Sequence, residues 1–577
     1  MRFWASLACA VFMTACCVVS STRGQRLTSH PHAGVEQVPF DDEVYSFLRH
    51  LSIRGIIDGY SEAQLPLSEF EVAEFLRSAE AGILSDAERV LCAKYLQTYG
   101  HTPTEAVTLF SSLSAVPLLF DGIFTDKDKY LYRWSDDSTN SDLYAHGILG
   151  LELRHETEPR SASVVLDNFG GRFSGTLSGH VGYFLQATNG EKFGDSLLAL
   201  EDPLLSKNRN LQYYSHTFFD FTSAELSYNS DWFTGKLARE AVGIGGGYQN
   251  DNILLSPNVP YFDFLSLAAH VQSVRYQAIF ASLLDDRVAG GAGADIPPKF
   301  LTLHDLTFSV GRDFEFGFTD MVIYSKRYDL AYLNPFSFLK SVEHALNDRD
   351  NGLLGAHTRW RIAPGLEVRA QALVDDILAS KIGTGWWSNK FAWQVGGMWA
   401  GAFGQPNLDL SAEWIRVEPY TYSHFAPDNR FSTSQTLLGA QIGPNAMSYW
   451  TMIRWRPSAK WLFSLEGQMI ERGENVYDSS GTLLYNAGAD YTLSITKESN
   501  ESQTNILNGR RVNILTLTAN VEFEPWRGLV VFARGTKKSV NYLEQALQTP
   551  GVTLSGVSYA PRETPQTLIA VGARALF

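Results

Sequence analysis

The residues of this 577-residue chain best suited to chemistry fall into three separated clusters. Asp375 and Asp376 are adjacent carboxylates, and Trp386 and Trp387 follow them closely. Arg327, Tyr332, Asn334, Asp350 and Asn351 form a second group. The third runs from Arg239 and Glu240 through Gly243, Gly245, Gly246 and Gly247 to Asn252, Ser256, Asn258 and Tyr261. Amides and carboxylates can engage pairs of hydroxyls while aromatic rings cover C–H surfaces, so this mixture suits a polyhydroxylated ligand. Cleaving a glycosidic bond needs two carboxyls flanking that bond. Neighbours on a regular strand point to opposite faces, which places Asp375 and Asp376 badly for the task. Neither a G-x-S-x-G nor an H-E-x-x-H pattern occurs. The glycine cluster lacks the GK[ST] ending of a phosphate-binding loop. The reading is therefore non-enzymatic, with no metal or cofactor.

The elements that hold these clusters are strands of alternating character. Leu366, Val368, Ala370, Ala372 and Val374 alternate with Glu367, Arg369, Gln371 and Asp375. Leu515, Leu517, Ala519, Val521 and Phe523 alternate with Thr516, Thr518, Asn520 and Glu522, and Trp461, Phe463, Leu465 and Met469 with Ser464, Glu466 and Gln468. One greasy face and one polar face over so many pairs fit strands between lipid and a polar interior. The last strand ends on Phe577, with Ala575, Ala573, Val571 and Ile569 on its apolar face, like the sorting signal of bacterial outer-membrane barrels. Tight turns at 363–365, 457–459 and 524–527 alternate with long links at 376–389, 418–445, 472–510 and 538–563. This pattern predicts a transmembrane antiparallel β-barrel over 143–577 of about eighteen strands, sixteen being the other count. The links at 240–262 and 326–350 then fall on the outer side, and folding into the lumen would satisfy their polar groups locally.

The first 24 residues read as a secretory signal peptide, with Arg2 ahead of an apolar stretch and small residues after it. Met13-Thr-Ala-Cys16 only loosely resembles a lipidation box. Three of the four cysteines lie in this segment, so cleavage would leave Cys92 alone. Residues 36–118 predict a helical periplasmic module, with capping boxes at Ser68–Glu71 and Ser85–Glu88, and 119–142 a linker or plug. A net charge of −15 argues against nucleic-acid binding.

The Arg239-Glu240, glycine-rich and Leu254–Pro260 stretch resembles the Wzi-type capsule assembly family. Tyr332–Pro335, Asp350-Asn351 and Asp375-Asp376 follow in the expected order, and Val38-Pro39, Tyr45 to Leu48 and Leu67-Ser68 look like the helical module that precedes such barrels. The resemblance implies an eighteen-stranded outer-membrane barrel closed by periplasmic helices, with a lectin-like role in attaching surface polysaccharide. Its partners would be polysaccharide, outer-membrane lipid and the barrel assembly machinery. A porin or sugar-specific channel is the alternative, since eighteen strands can enclose a pore. For Trp386 and Trp387 the competing role is an interfacial girdle, and for Asp375 and Asp376 loop capping or a salt bridge to Arg239 or Arg327.

Overall fold

The structure, a computed structural model, describes residues 33–63, 65–100, 106–109, 122, 124–202, 205–207, 217–286, 296–478, 480–493, 504–543 and 562–577. The signal-peptide segment lies outside them. Alternation produces eighteen antiparallel strands, one for each predicted. They are β1 Ser141–Glu158, β2 Ala162–Leu177, β3 Val181–Gly194, β4 Phe218–Asn229, β5 Phe233–Glu240 and β6 Phe262–Val271. Next come β7 Val274–Leu283, β8 Lys299–Val310, β9 Phe314–Ser325, β10 Asn351–Ala363, β11 Leu366–Asp376 and β12 Lys390–Ala400. The circuit ends with β13 Leu408–Val417, β14 Ala446–Ser458, β15 Trp461–Glu474, β16 Arg510–Trp526, β17 Leu529–Tyr542 and β18 Arg562–Leu576. β18 pairs with β1 from Leu576↔Ile148 to Thr567↔Glu158, which closes the sheet and removes its free edges. Beyond β18, the short strand Tyr132–Asp136 continues along the same edge of β1. There Phe577 donates its N–H to the Gly147 carbonyl at 3.0 Å.

Outward positions are apolar and exposed, as at Leu149, Leu151 and Leu153 on β1 and Leu515 and Leu517 on β16. Trp232, Trp360, Trp399, Trp455, Trp461 and Trp526 all face outward at the short-turn end, forming a ring.

The helical module stoppers the short-turn end. Its helices α1 Glu43–Ile53, α2 Glu69–Glu80 and α3 Asp86–Tyr99 start where their caps predict: Asp42 accepts from Val44 N, and both Ser–Glu capping boxes are formed. Val44, Leu48, Leu51, Val72, Leu76 and Leu91 make its own apolar core. The module reaches the barrel through Ile53, which packs with Met398, Ala400 and Trp450, and through polar contacts. His50 bonds Asp409 at 2.8 Å, Ser85 bonds Asn407 at 2.8 Å, and the Gly365 N–H donates to the Ile53 carbonyl at 2.7 Å.

The link between β5 and β6 enters the lumen, as the sequence allowed. Val242, Ile244, Ile253, Leu254 and Leu255 are buried there against Leu301, Leu303, Met321, Ile323, Leu353 and Leu373 of the wall. Residues of the 418–445 link, including Tyr422, Phe431 and Leu438, pack onto them from the loop side. The lumen beside β6–β14 is thereby filled at this level by apolar side chains. Lumen-facing Thr516, Thr518 and Asn520 of β16 remain half-buried, so the opposite sector is only loosely filled.

The 326–350 link differs from expectation. It runs down the outside of the wall, and its helix α4 Leu339–Ala345 covers outward-facing positions of β8–β10. The reason lies in two polar residues at outward parity: Asp320 accepts from Leu339 N at 2.5 Å, and His304 Nδ1 meets the Ser337 carbonyl at 3.1 Å.

Candidate functional site

The three sequence clusters do not converge on one pocket. Arg239 and Glu240 point to opposite faces of β5: Arg239 pairs outward with Asp263 at 2.8 Å, and Glu240 pairs with Lys236 in the lumen at 2.5 Å. Asn252 and Ser256 are buried within the inserted segment. The Asn252 side chain accepts from Gly247 N at 2.7 Å, and Ser256 donates to Asp251 at 3.1 Å. Asn258 stays at the surface and donates to the Asn250 carbonyl at 2.8 Å.

In the second cluster, Asp350 is buried and receives Arg327 at 2.7 Å and the Tyr332 hydroxyl at 2.9 Å. Asn351 donates to the Asn429 carbonyl at 2.9 Å, tying β10 to the 418–445 link. Exposed Asn334 accepts from Phe336 N at 3.0 Å and shapes the turn there. In the third, Asp375 accepts from Tyr422 N at 2.7 Å, whereas Asp376 is exposed. The cation beside both carboxylates is Lys390, at 3.9 and 3.8 Å. The sequence expectation of Arg239 or Arg327 in that place is corrected, because Asp263 and Asp350 already engage those guanidinium groups. Trp386 and Trp387 lie in the 377–389 link with ring centroids 6.2 Å apart, Trp387 edge-on to Tyr420. The tryptophan ring at the short-turn end is made by other residues.

A cavity that the sequence did not signal opens at the loop end. It holds about 670 Å³ and is lined by the ends of β15 and β16 and by residues from 435–444 and 475–491. Arg472, Glu474 and Arg510 enter it at lumen parity, joined by Tyr477, Asp490 and Tyr491. Its walls are pinned: the Tyr491 hydroxyl donates to the Gln435 carbonyl at 2.8 Å, and Tyr420 N donates to Gly488 O at 2.9 Å. At Gly488 (φ +73°) a Cβ would stand 2.8 Å from Tyr420, so only glycine allows that close approach. Guanidinium donors, carboxylate acceptors and phenol rings around this volume can grip a chain of sugar rings by hydroxyls and C–H faces. No periodic motif marks these residues, because they come from two strand ends and two separate links.

Where module, wall and inserted segment meet, Arg369 donates to Glu62 at 2.5 Å, to Glu367 at 2.7 Å and to the Gly246 carbonyl at 2.7 Å. Its guanidinium also lies over the Tyr248 ring, 4.7 Å from the centroid. Burial would raise the Glu62 pKa, but Arg49 and Arg369 outweigh it and hold the carboxyl down at about 2. Burial likewise opposes protonation of His50, yet Asp409 and Glu88 raise its pKa to about 9. Each charge here is buried beside a counter-charge, which is how such groups survive away from water.

No protein-family model and no curated protein matches the sequence. Among solved structures, the chain is similar to Escherichia coli Wzi, described as a carbohydrate-binding outer-membrane barrel involved in group 1 capsule assembly. Identity is 11%, with 93% of this chain and 99% of that one covered at a TM-score of 0.55. It is also similar to Pseudomonas aeruginosa OprD, an outer-membrane protein, at 8% identity over 75% of this chain and 93% of that one, TM-score 0.40. The architecture expected from the sequence resemblance, a closed eighteen-stranded Wzi-like barrel preceded by helices, is the one this chain adopts.

Proposed function

We propose that this chain is a bacterial outer-membrane protein that binds polysaccharide at the cell surface and helps attach or assemble it there, without catalysis. In this reading the signal peptide is cleaved, the short turns and helical module lie in the periplasm, and the long links face outward. Phe577 serves as the sorting signal read by the barrel assembly machinery. The outward apolar face and the tryptophan ring at one end support a membrane setting. One observation carries the functional reading: the barrel is stoppered by helices and by the inserted segment, while an open polar and aromatic cavity lies at its mouth. That arrangement favours holding a ligand over passing one. Asn258, Asp376, Trp386 and Trp387, exposed or half-buried on links at the loop end, extend the surface available to a long glycan.

The test is glycan binding by the purified, folded barrel against a panel of polysaccharides. Saturable binding that is lost in Arg472→Gln/Arg510→Gln is expected; no binding to any surface polysaccharide of the source bacterium would overturn it. The half-buried polar residues of β16 support a second reading, a narrow channel. Steady open conductance in planar bilayers would favour it.

A further inference from the structure

The link between β9 and β10 is a strap laid on the outer wall. Tyr332, Leu339 and Glu343 are buried beneath it against Phe300, Val322 and Tyr324, all at outward parity. Gly352 lies directly under α4: a Cβ there would meet Glu343 at 2.9 Å and Lys340 at 3.0 Å. While Tyr328 rests its ring on Phe300, the strap's far side carries Leu330, Phe336 and Phe338, with Phe336 89% exposed. These side chains gain nothing from water, and the underside is already full.

Register fixes their height. On β12, Trp399 of the lower ring is followed along the same outward face by Trp393, and on β14 Trp455 is followed in the same way by Tyr449. These upper aromatics form a second row nearer the loop end. Equal steps up β9 from Phe314, the partner of Trp360, lead instead to Asp320, whose partner on β8 is His304. An acid and a histidine thus occupy the height that aromatics hold elsewhere. The strap covers both and puts Phe336 over that place, stacked on outward-facing Tyr276 with centroids 6.3 Å apart. The Tyr276 hydroxyl donates to the Pro335 carbonyl and fixes the stack.

We propose that residues 326–346 form an amphipathic strap seated in the interfacial layer of the outer leaflet, where Phe336, Phe338 and Leu330 contact lipid. The strap completes the upper aromatic girdle across a polar gap in the strands. Lipid is the partner because the exposed side chains continue a row of lipid-facing aromatics. The strap's cations already have carboxylate partners, Arg327 with Asp350, Lys340 with Glu343 and Lys326 with Asp428 of the 418–445 link, and none of these pairs includes Leu330, Phe336 or Phe338 of the apolar patch. The proposal rests on the outer-membrane reading above.

Nitroxide labels test it, placed by Phe336→Cys in a Cys92→Ser background in dimyristoylphosphatidylcholine vesicles. Leu517→Cys is the lipid reference, since its register through Gly467 to Thr451 falls between Tyr449 and Trp455. Ser480→Cys, on an exposed link, is the aqueous reference. At Phe336 the label should match Leu517 in oxygen access and be shielded several-fold from a water-soluble nickel chelate relative to Ser480. Chelate access equal to that at Ser480 would put the strap in water and overturn the proposal. Shielding from both relaxants with spin–spin broadening would make it a contact between two copies, also overturning it. An aqueous Leu517 would instead refute the membrane reading itself. Should Phe336→Cys not fold, Phe338→Cys and Leu330→Cys carry the same comparison.

Discussion

Arg369 and Glu62 are bonded at 2.5 Å although one belongs to the barrel wall and the other to the helical module. The same guanidinium nitrogen donates to Gly246 of the inserted segment, so one side chain fastens both stoppers. Removing it takes one of two arginine partners from each of the buried Glu62 and Glu367 carboxylates, leaving Arg49 on the first and Arg359 on the second. Arg369→Ala should therefore destabilise the docked module, by less than the ~3–5 kcal/mol of a buried pair broken outright. Proteolysis would read this as earlier release of residues 36–100, with the heat-modifiable barrel retained.

Docking of the module should depend on pH in two opposite ways. His50, raised from 6.5 to about 9 with Asp409 and Glu88 overriding burial, gives its full stabilisation below pH 6.5 and loses it as pH rises through 9. Glu62, lowered from 4.5 to about 2 with its arginines overriding burial, stabilises above pH 4.5 and ceases to as pH falls towards 2. Amide exchange in α1 should be slowest between these limits. A His50→Gln variant should lose the alkaline limb and keep the acid one.

Gly245 has φ +105°, and a Cβ there would stand 2.4 Å from the Gln371 side chain. Both strain and crowding oppose Gly245→Ala, at about 1–3 kcal/mol each. The inserted segment should shift, and planar-bilayer recordings should show conductance events that the parent protein lacks.

At the mouth, Tyr491→Ala removes a ring face and the hydroxyl anchored on Gln435. Glycan affinity should fall roughly tenfold, about 1.4 kcal/mol, with thermal unfolding unchanged. Equal affinity in the variant would move the binding surface to Trp386 and Trp387.

Deletion of Phe577 removes its backbone pairing with Gly147 and the terminal aromatic. Less protein should reach the folded, heat-modifiable form in cells, and a normal yield would refute the sorting role.

The barrel was legible because each strand repeats one decision, apolar or polar, many times, and every predicted strand formed. The capping boxes of α2 and α3 were legible for a similar reason: their hydrogen bonds are local. The strap was missed, though its trace is in the sequence. Phe314, Phe316, Phe318, Val322 and Tyr324 make an outward row broken by Asp320, and that break signals a cover. The mouth cavity had no such trace, since Arg472 and Arg510 at two strand ends meet Tyr477 and Asp490 only after the link between those strands folds against residues 435–444. Asn252, Ser256 and Asp350 fill their bonding capacity within the protein, which composition alone cannot distinguish from readiness for a ligand.

The uneven filling of the lumen has a consequence for how such a chain can vary. Inward residues such as Leu303, Met321, Leu353 and Leu373 on β8–β11 are boxed in by the inserted segment, so a change in one demands a matching change in another. Inward residues on β16 touch few neighbours and can drift singly. Two sectors of one ring, indistinguishable by alternation, should thus diverge at different speeds, and new surface specificities have their freest ground beside the slack one.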